Sequence, residues 1–239
     1  MKKGLLLFLA ALLIIPMGAI IAGCSSSGSS GGGGGPMIGA FFSLPQVAVV
    51  KNGVNQFSNG LQPFTGEAVT DATVVVSNSN TSQSVGCVYN PVHMTYMATR
   101  ELSHGTGESV ALHVTSSIGD VSGGPTVTPN SYSFIAAPAA SATVSVPFTI
   151  SWLISAESSP ASHVWLTVSS YGITPESYWA VLPVATTAYQ ITSSMITGKG
   201  SYYISVTPVN PMSLTGAAAG SVGYVGSVKS SPGVPVTIQ

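Results

Sequence analysis

The stretch Val144-Ser145-Val146-Pro147-Phe148-Thr149-Ile150-Ser151-Trp152 sets five large apolar side chains at a strict step of two. Successive side chains of a strand point to opposite faces, so this period predicts a β-strand with one buried face. The same step recurs at Val164, Leu166 and Val168, at Tyr189 and Ile191, and from Tyr202 through Ile204 and Val206 to Pro208 and Asn210. Short strands at close spacing, bounded by Gly, Pro, Asn and Ser, predict a β-sandwich.

Upstream of this stretch, alternation predicts strands near Phe41–Leu44, Gln46–Lys51, Ala68–Ser77, Gly86–Tyr89, Thr95–Thr99 and Val110–Thr115. In the last of these Val110, Leu112 and Val114 share one face and His113 takes the other. No segment carries a sustained 3.6-residue apolar stripe. Charged residues make up only 5% of the chain, too few to clothe the solvent faces of amphipathic helices. A Gly/Pro-rich stretch from Gly123 to Pro129 interrupts the alternation and predicts a boundary. The expected fold class is all-β, with two tandem antiparallel β-sandwich domains at residues 37–125 and 126–239.

From about Thr126 to Gln239 the sequence resembles a fibronectin type III domain, or an immunoglobulin-like sandwich of similar pattern. The residues that carry the likeness are Trp152 at the end of a strand and the later run Tyr202-x-Ile204-x-Val206-x-Pro208-x-Asn210. The resemblance implies that Trp152 is core and that the Tyr202 hydroxyl makes a tyrosine-corner bond to upstream backbone. Pro208, where a small residue is usual, and a long Gly/Ala-rich connection from Leu214 to Gly226 depart from that pattern. The phrase Gly66-Glu67-Ala68-Val69-Thr70-Asp71-Ala72-Thr73-Val74-Val75-Val76 resembles the opening of transthyretin-like or carboxypeptidase-regulatory-like β-sandwiches. Those families are mostly noncatalytic accessory, adhesive or transport-associated modules, which points to a supporting role.

The amino terminus has a different character. Lys2 and Lys3 precede an apolar run from Gly4 to Ile21, and Ala22-Gly23-Cys24 follows, the order of an export signal with a small-residue cleavage site. Pro16 and Gly18 interrupt the run, which argues against a membrane-spanning helix. The tetrapeptide Ile21-Ala22-Gly23-Cys24 resembles the lipobox of bacterial lipoproteins. The resemblance implies cleavage of residues 1–23 and lipidation of Cys24 with diacylglycerol and a further acyl chain such as palmitate. Two or three chains hold a protein stably, whereas one alone holds it marginally. Ser25 stands where an Asp would resemble the inner-membrane retention signal, so the expected location is the outer membrane, facing the periplasm or the cell surface. Residues 24–36 then form a Ser/Gly tether, for which a flexible coil gives an r.m.s. reach of about 20 Å.

With the signal removed, four basic residues remain (Lys51, Arg100, Lys199, Lys229) against seven acidic ones. No basic cluster is available to neutralise phosphates, which excludes a nucleic-acid partner. If Cys24 carries lipid, Cys87 has no partner in the chain, and its setting between Val85-Gly86 and Val88 predicts a small buried hydrophobe, with a reactive or intermolecular thiol as the alternative. A hydrolytic triad finds only Asp71 and Asp120 as aspartates and no G-x-S-x-G elbow, and Glu67, Glu101, Glu108, Glu157 and Glu176 form no local frame for glycoside hydrolysis. An enzyme is not expected, and no cofactor is implied.

His93, His104 and His113, with Glu101 and Glu108, fall within 21 residues and are weak candidates for a metal site, although no ligand-spacing motif joins them. Trp165 and Trp179, with Tyr171 and Tyr178, are candidates for a carbohydrate-binding platform, because Trp165 is opposite in phase to Val164 and Leu166 and should face outward. The expected function is that of a membrane-anchored, noncatalytic envelope module contacting a protein partner, with carbohydrate or, less favoured, metal binding as the alternative.

Overall fold

In the computed structural model the chain is described at residues 35–41, 46–55, 64–131, 133–136, 141–142, 146–155, 158–170, 177–192, 195–196, 198–228 and 233–239. All regular structure there is β. The first half supplies β1 (Met37–Phe41), β2 (Gln46–Asn55), β3 (Phe64–Ala68), β4 (Thr73–Asn78), β5 (Gln83–Asn90), β6 (Thr95–Ala98), β7 (Ser109–Ser116) and β8 (Gly119–Val127). The second supplies β9 (Ser133–Ala136), β10 (Ser141–Ala142), β11 (Phe148–Ile154), β12 (His163–Ser170), β13 (Ser177–Pro183), β14 (Ala188–Ile191), β15 (Gly200–Pro211), β16 (Leu214–Thr215), β17 (Val222–Gly226) and β18 (Val234–Ile238).

The second half is a sandwich. One layer is the three-stranded sheet β14-β11-β9, and the other joins β13, β12, β15, β18 and β10. Ile135, Ile150, Trp152 and Ile191 of the small sheet enclose a core with Val164, Leu166, Val168, Tyr202, Ile204, Val206, Val236 and Ile238 of the large one. Trp152 is 2% exposed, and its backbone N–H donates to Thr187 O at 2.9 Å. The Tyr202 hydroxyl donates to Gly198 O at 3.0 Å and accepts from Gly198 N at 3.2 Å, which is the tyrosine-corner bond. This is an immunoglobulin-like or fibronectin type III-like arrangement.

The face expected from Val144 to Trp152 is shorter than its alternation. Val146 is 60% exposed and β11 begins at Phe148, because Pro147 has no N–H for a ladder. Val144 lies outside the described residues.

The first core is wrapped by one curled sheet running β17-β1-β2-β6-β5-β4-β7-β8-β16. Ile38, Val47, Val49, Val74, Val76, Val85, Val110, Leu112 and Val114 fill it. The strand expected over Ala68–Ser77 is two strands. The Tyr96 hydroxyl donates to Val69 O at 2.9 Å and accepts from Ala72 N at 2.8 Å, so a buried side chain satisfies the backbone where the chain turns. Of the expected Phe41–Leu44 strand, only Phe41 lies within the described residues, as the last residue of β1.

The Gly123–Pro129 stretch, expected to be a boundary, is largely strand: β8 runs through it to Val127. Val110 pairs with Thr126 and Leu112 with Gly123, so Gly124 and Pro125 together oppose Ala111 in a bulge. A bulge is where a strand accommodates a proline.

The two cores do not divide at residue 125. β17 pairs in parallel with β1 and antiparallel with β15, while β16 pairs with β8. The segment between β15 and β18 thus supplies both ends of the first curled sheet, and its Met212 and Val225 are buried in the first core. Gly216, at φ +84°, lies so close to the Asp120 carbonyl that a Cβ there would collide with it, which explains glycine at this crossing.

Thr128, Asn130, Ser131 and Ser133, between the modules, are held by hydrogen bonds. Thr128 N donates to Glu108 O at 2.8 Å, Asn130 N to Ser159 O at 2.6 Å, and the hydroxyls of Ser133 and Ser227 donate to Val206 O and Ser131 O. Thr128, Ser131, Ser133 and Ser227 are all buried, so these bonds form out of water, where leaving them unmade would be costly.

Candidate ligand and partner faces

Outward-facing positions on β12 alternate with the core positions Val164, Leu166 and Val168, so Trp165 and Thr167 stand on the outer surface of the large sheet. In the β12–β13 register Trp165 opposes Val181 and Thr167 opposes Trp179, which makes the two tryptophans diagonal neighbours. Their ring centroids are 5.1 Å apart with an interplanar angle of 68°, an edge-to-face pair, and both side chains are half-buried. They share a surface but are not coplanar. Across β15, Thr207 opposes Trp165 and Ser205 opposes Thr167, and the Thr167 and Ser205 hydroxyls are 2.5 Å apart. The face therefore joins an aromatic pair to a hydroxyl pair, the two kinds of group that meet a sugar's C–H face and its rim.

Tyr178 does not join that platform. It neighbours Trp179 on β13 and so points inward, 7% exposed, where its hydroxyl bonds to Tyr189 at 2.9 Å. Burial, and secondarily that bond, push its pKa well above the usual phenol value. Tyr171 lies outside the described residues. His163, at the start of β12, meets the Ser162 hydroxyl at 2.9 Å through Nδ1, and burial lowers its pKa.

The three histidines weighed for metal are not brought together. His93 is exposed in the β5–β6 turn. His113 is exposed on the outer face of β7, with Ser122 and Thr115 hydroxyls each 3.3 Å from its ring nitrogens. His104 sits in the loop before β7, its Nδ1 2.9 Å from Leu102 O. Among the described residues no group of three or more His, Cys, Asp or Glu is placed to hold an ion.

Glu108 instead organises its own loop. Its Oε2 accepts from Gly105 N at 2.6 Å and from the buried Asn78 amide at 2.7 Å. The Gly105 N–H, then the Asn78 amide, hold its carboxyl below the usual pKa.

Cys87 is half-buried on β5, packed against the first core, and burial pushes its thiol up to about 11. That is the setting of a structural thiol rather than a reactive one. Cys24 lies outside the described residues.

The small sheet presents a face that sequence reasoning missed. Phe134 on β9 and Leu153 on β11 are direct cross-strand partners, 67% and 71% exposed. Ser151, Ala136 and Ala188 adjoin them in the register, so this part of the face carries no charge. Phe134 follows Ser133 and precedes Ile135 in a four-residue strand, too short a run for its outward phase to stand out.

No protein-family model matches the chain, and no curated protein matches it. Among solved structures it is similar to the FN1–FN3 domains of chicken CNTN1, at 10% identity and a TM-score of 0.26. That likeness covers 86% of this chain, which spans 65% of the length of the other.

Proposed function

We propose that this chain is a noncatalytic lipoprotein of the bacterial envelope, held by lipid on Cys24, delivered to the outer membrane, and presenting its β body to a protein partner. The observation that carries the reading is the opposed pair Phe134 and Leu153. Two large apolar side chains left in water on an uncharged sheet face mark a contact surface better than scattered apolar residues do. The lipobox and the Ser/Gly stretch after it support the anchor, and the body that follows is stiffened by strands shared between its cores.

A carbohydrate ligand is the second reading, favoured by Trp165 and Trp179 sharing one surface beside the Thr167–Ser205 hydroxyl pair. The edge-to-face geometry offers a ring edge and a ring face instead of one flat platform, so a protein partner is preferred.

The test combines palmitate labelling with capture from the envelope. Label is expected on the native chain and not on Cys24→Ser, and undiminished label on that variant overturns the anchor. A cross-linked partner is expected with the native chain and not with Phe134→Ser/Leu153→Ser. Equal recovery with both overturns the contact face, and release by soluble glycans would favour the second reading.

A further inference from the structure

The feature that reaches furthest is the direction in which the strands joining the two ends of the described body run. The chain enters at Pro36 and passes at once into β1, which is flanked on both sides. Met37 to Phe41 pair antiparallel with Val50 to Gln46, and Gly39 to Phe41 pair in parallel with Val222 to Tyr224. Two further bonds fasten the entry: Ile38 N donates to the Ser221 hydroxyl at 3.0 Å, and Ala218 N donates to Pro36 O at 3.0 Å. At the other terminus β18 pairs antiparallel with β15, Gly200 opposite Ile238 through Ile204 opposite Val234, and in parallel with β10.

Between these ends lies one continuous path of ladders. β1 is parallel to β17, β17 is antiparallel to β15, and β15 is antiparallel to β18. Two reversals cancel, so β1 and β18 run in the same sense within one sheet. The chain enters at the start of β1 and leaves at the end of β18, and these are opposite ends of the path. β15, twelve residues long, is the shared spine: its first half pairs with β18 and its last residues with β17.

We infer that β1-β17-β15-β18 is a mechanical spine, which carries tension between Pro36 and the end of β18 through the sheet's hydrogen-bond ladders in shear. Ladder bonds lie across the strands, so tension along the strands strains a whole ladder at once. Pulling two neighbouring strands apart from one end breaks the bonds one at a time. The inference rests on the proposed anchor for its physiological meaning, since lipid on Cys24 would make Pro36 the point where force enters. Its physical content belongs to the body alone.

The experiment is single-molecule pulling on chains 24–239 made without the signal, so that Cys24 carries no lipid. Handles are attached to Cys24 and to a cysteine appended after Gln239, while Cys87, with its raised pKa, is largely spared by the coupling chemistry. The comparison is a Cys24→Ser chain with handles at Ser109→Cys and Val127→Cys, the open end of the β7–β8 hairpin, where Ser109 opposes Val127 and the pull unzips. The end-to-end pull is expected to rupture at a force severalfold higher than the hairpin pull at the same loading rate, a difference in forced-unfolding barrier. Equal forces overturn the inference, as does end-to-end rupture that begins by releasing β18 at the hairpin's force. Neither outcome bears on the anchor, which the palmitate label tests separately.

Discussion

Val225 and Val228 stand three residues apart in the same carboxyl-terminal segment, yet the fold gives them opposite surroundings. Val225 is fully buried in the first core, whereas Val228 is 48% exposed. Replacing each by alanine makes the same chemical change. At Val225 the lost burial is worth about 1.6 kcal/mol, at about 0.8 kcal/mol per methyl-sized group, and the cavity term brings the cost to about 2–3 kcal/mol. For a chain of this size that lowers the melting temperature by roughly 4–12 °C. Val228→Ala is expected to stay within about 0.5 kcal/mol of the native chain.

Urea unfolding with two probes reads the contrast. All three tryptophans, Trp152, Trp165 and Trp179, belong to the second half, so their fluorescence reports the second core, while far-UV circular dichroism reports strands of both. Because β15 and β17 join the two cores, the Val225→Ala shift is expected in both signals at one midpoint. Equal shifts for the two variants would refute the placement of Val225 in the first core. A fluorescence midpoint left at the native value while the dichroism moves would refute the mechanical joining of the cores.

Trp152→Ala is expected to cost about 3–5 kcal/mol and Trp165→Ala much less, measured by denaturation of the whole chain; equal losses would show the strand phase to be wrong. Trp152→Phe should fall within about 1.5 kcal/mol of native, because it also removes an indole N–H that is buried without a partner among the described residues. The Cys87 thiol, raised from 9.0 to about 11, should alkylate roughly a hundredfold more slowly at pH 8 than a free thiol, and its rate should climb with pH to about 11. The same shift stabilises the fold fully below pH 9, and that contribution is lost as pH rises toward 11. Glu108 has the opposite sign: its lowered pKa contributes stability that is present above pH 4.5 and lost as pH falls through the folded value. The protection of the Gly105 amide, the intrinsic exchange rate divided by the observed rate at each pH, should fall on acidification in the native chain, and Glu108→Gln should flatten that dependence.

Local alternation was enough to find about half of the strands and, for those, their buried faces. Val110, Leu112 and Val114, then Val164, Leu166 and Val168, then Tyr202, Ile204 and Val206 are all inward, and Trp165 faces out in the phase its neighbours dictate. What alternation could not carry was partnership. Gly and Pro at 123–125 have the composition of a linker, but their role is decided by β7 alongside them, where a bulge tolerates both. The segment from Leu214 to Gly226 has too few large side chains to advertise a strand, and its burial depends on β1 and β8, far away in sequence. Of the candidate sites, the outward setting of Trp165 was legible from phase, whereas Trp179 joins it only through the β12–β13 register and Tyr178 turns inward. The Phe134–Leu153 pair was not, since two exposed apolar residues become a patch only when a register brings them together.

The joining of β1 to β17 also bears on when the protein can fold. Ile38 and its hydroxyl partner Ser221 are 183 residues apart, so nearly the whole chain must be made before the first core can close. At about 5–20 residues per second that is a delay on the order of 10–40 s. During it the first half lacks both β16 and β17, and its apolar face has no complete layer to bury against. If the amino terminus acts as the proposed export signal and the chain crosses a membrane unfolded, a sheet whose closing strands are made last would stay open through that interval.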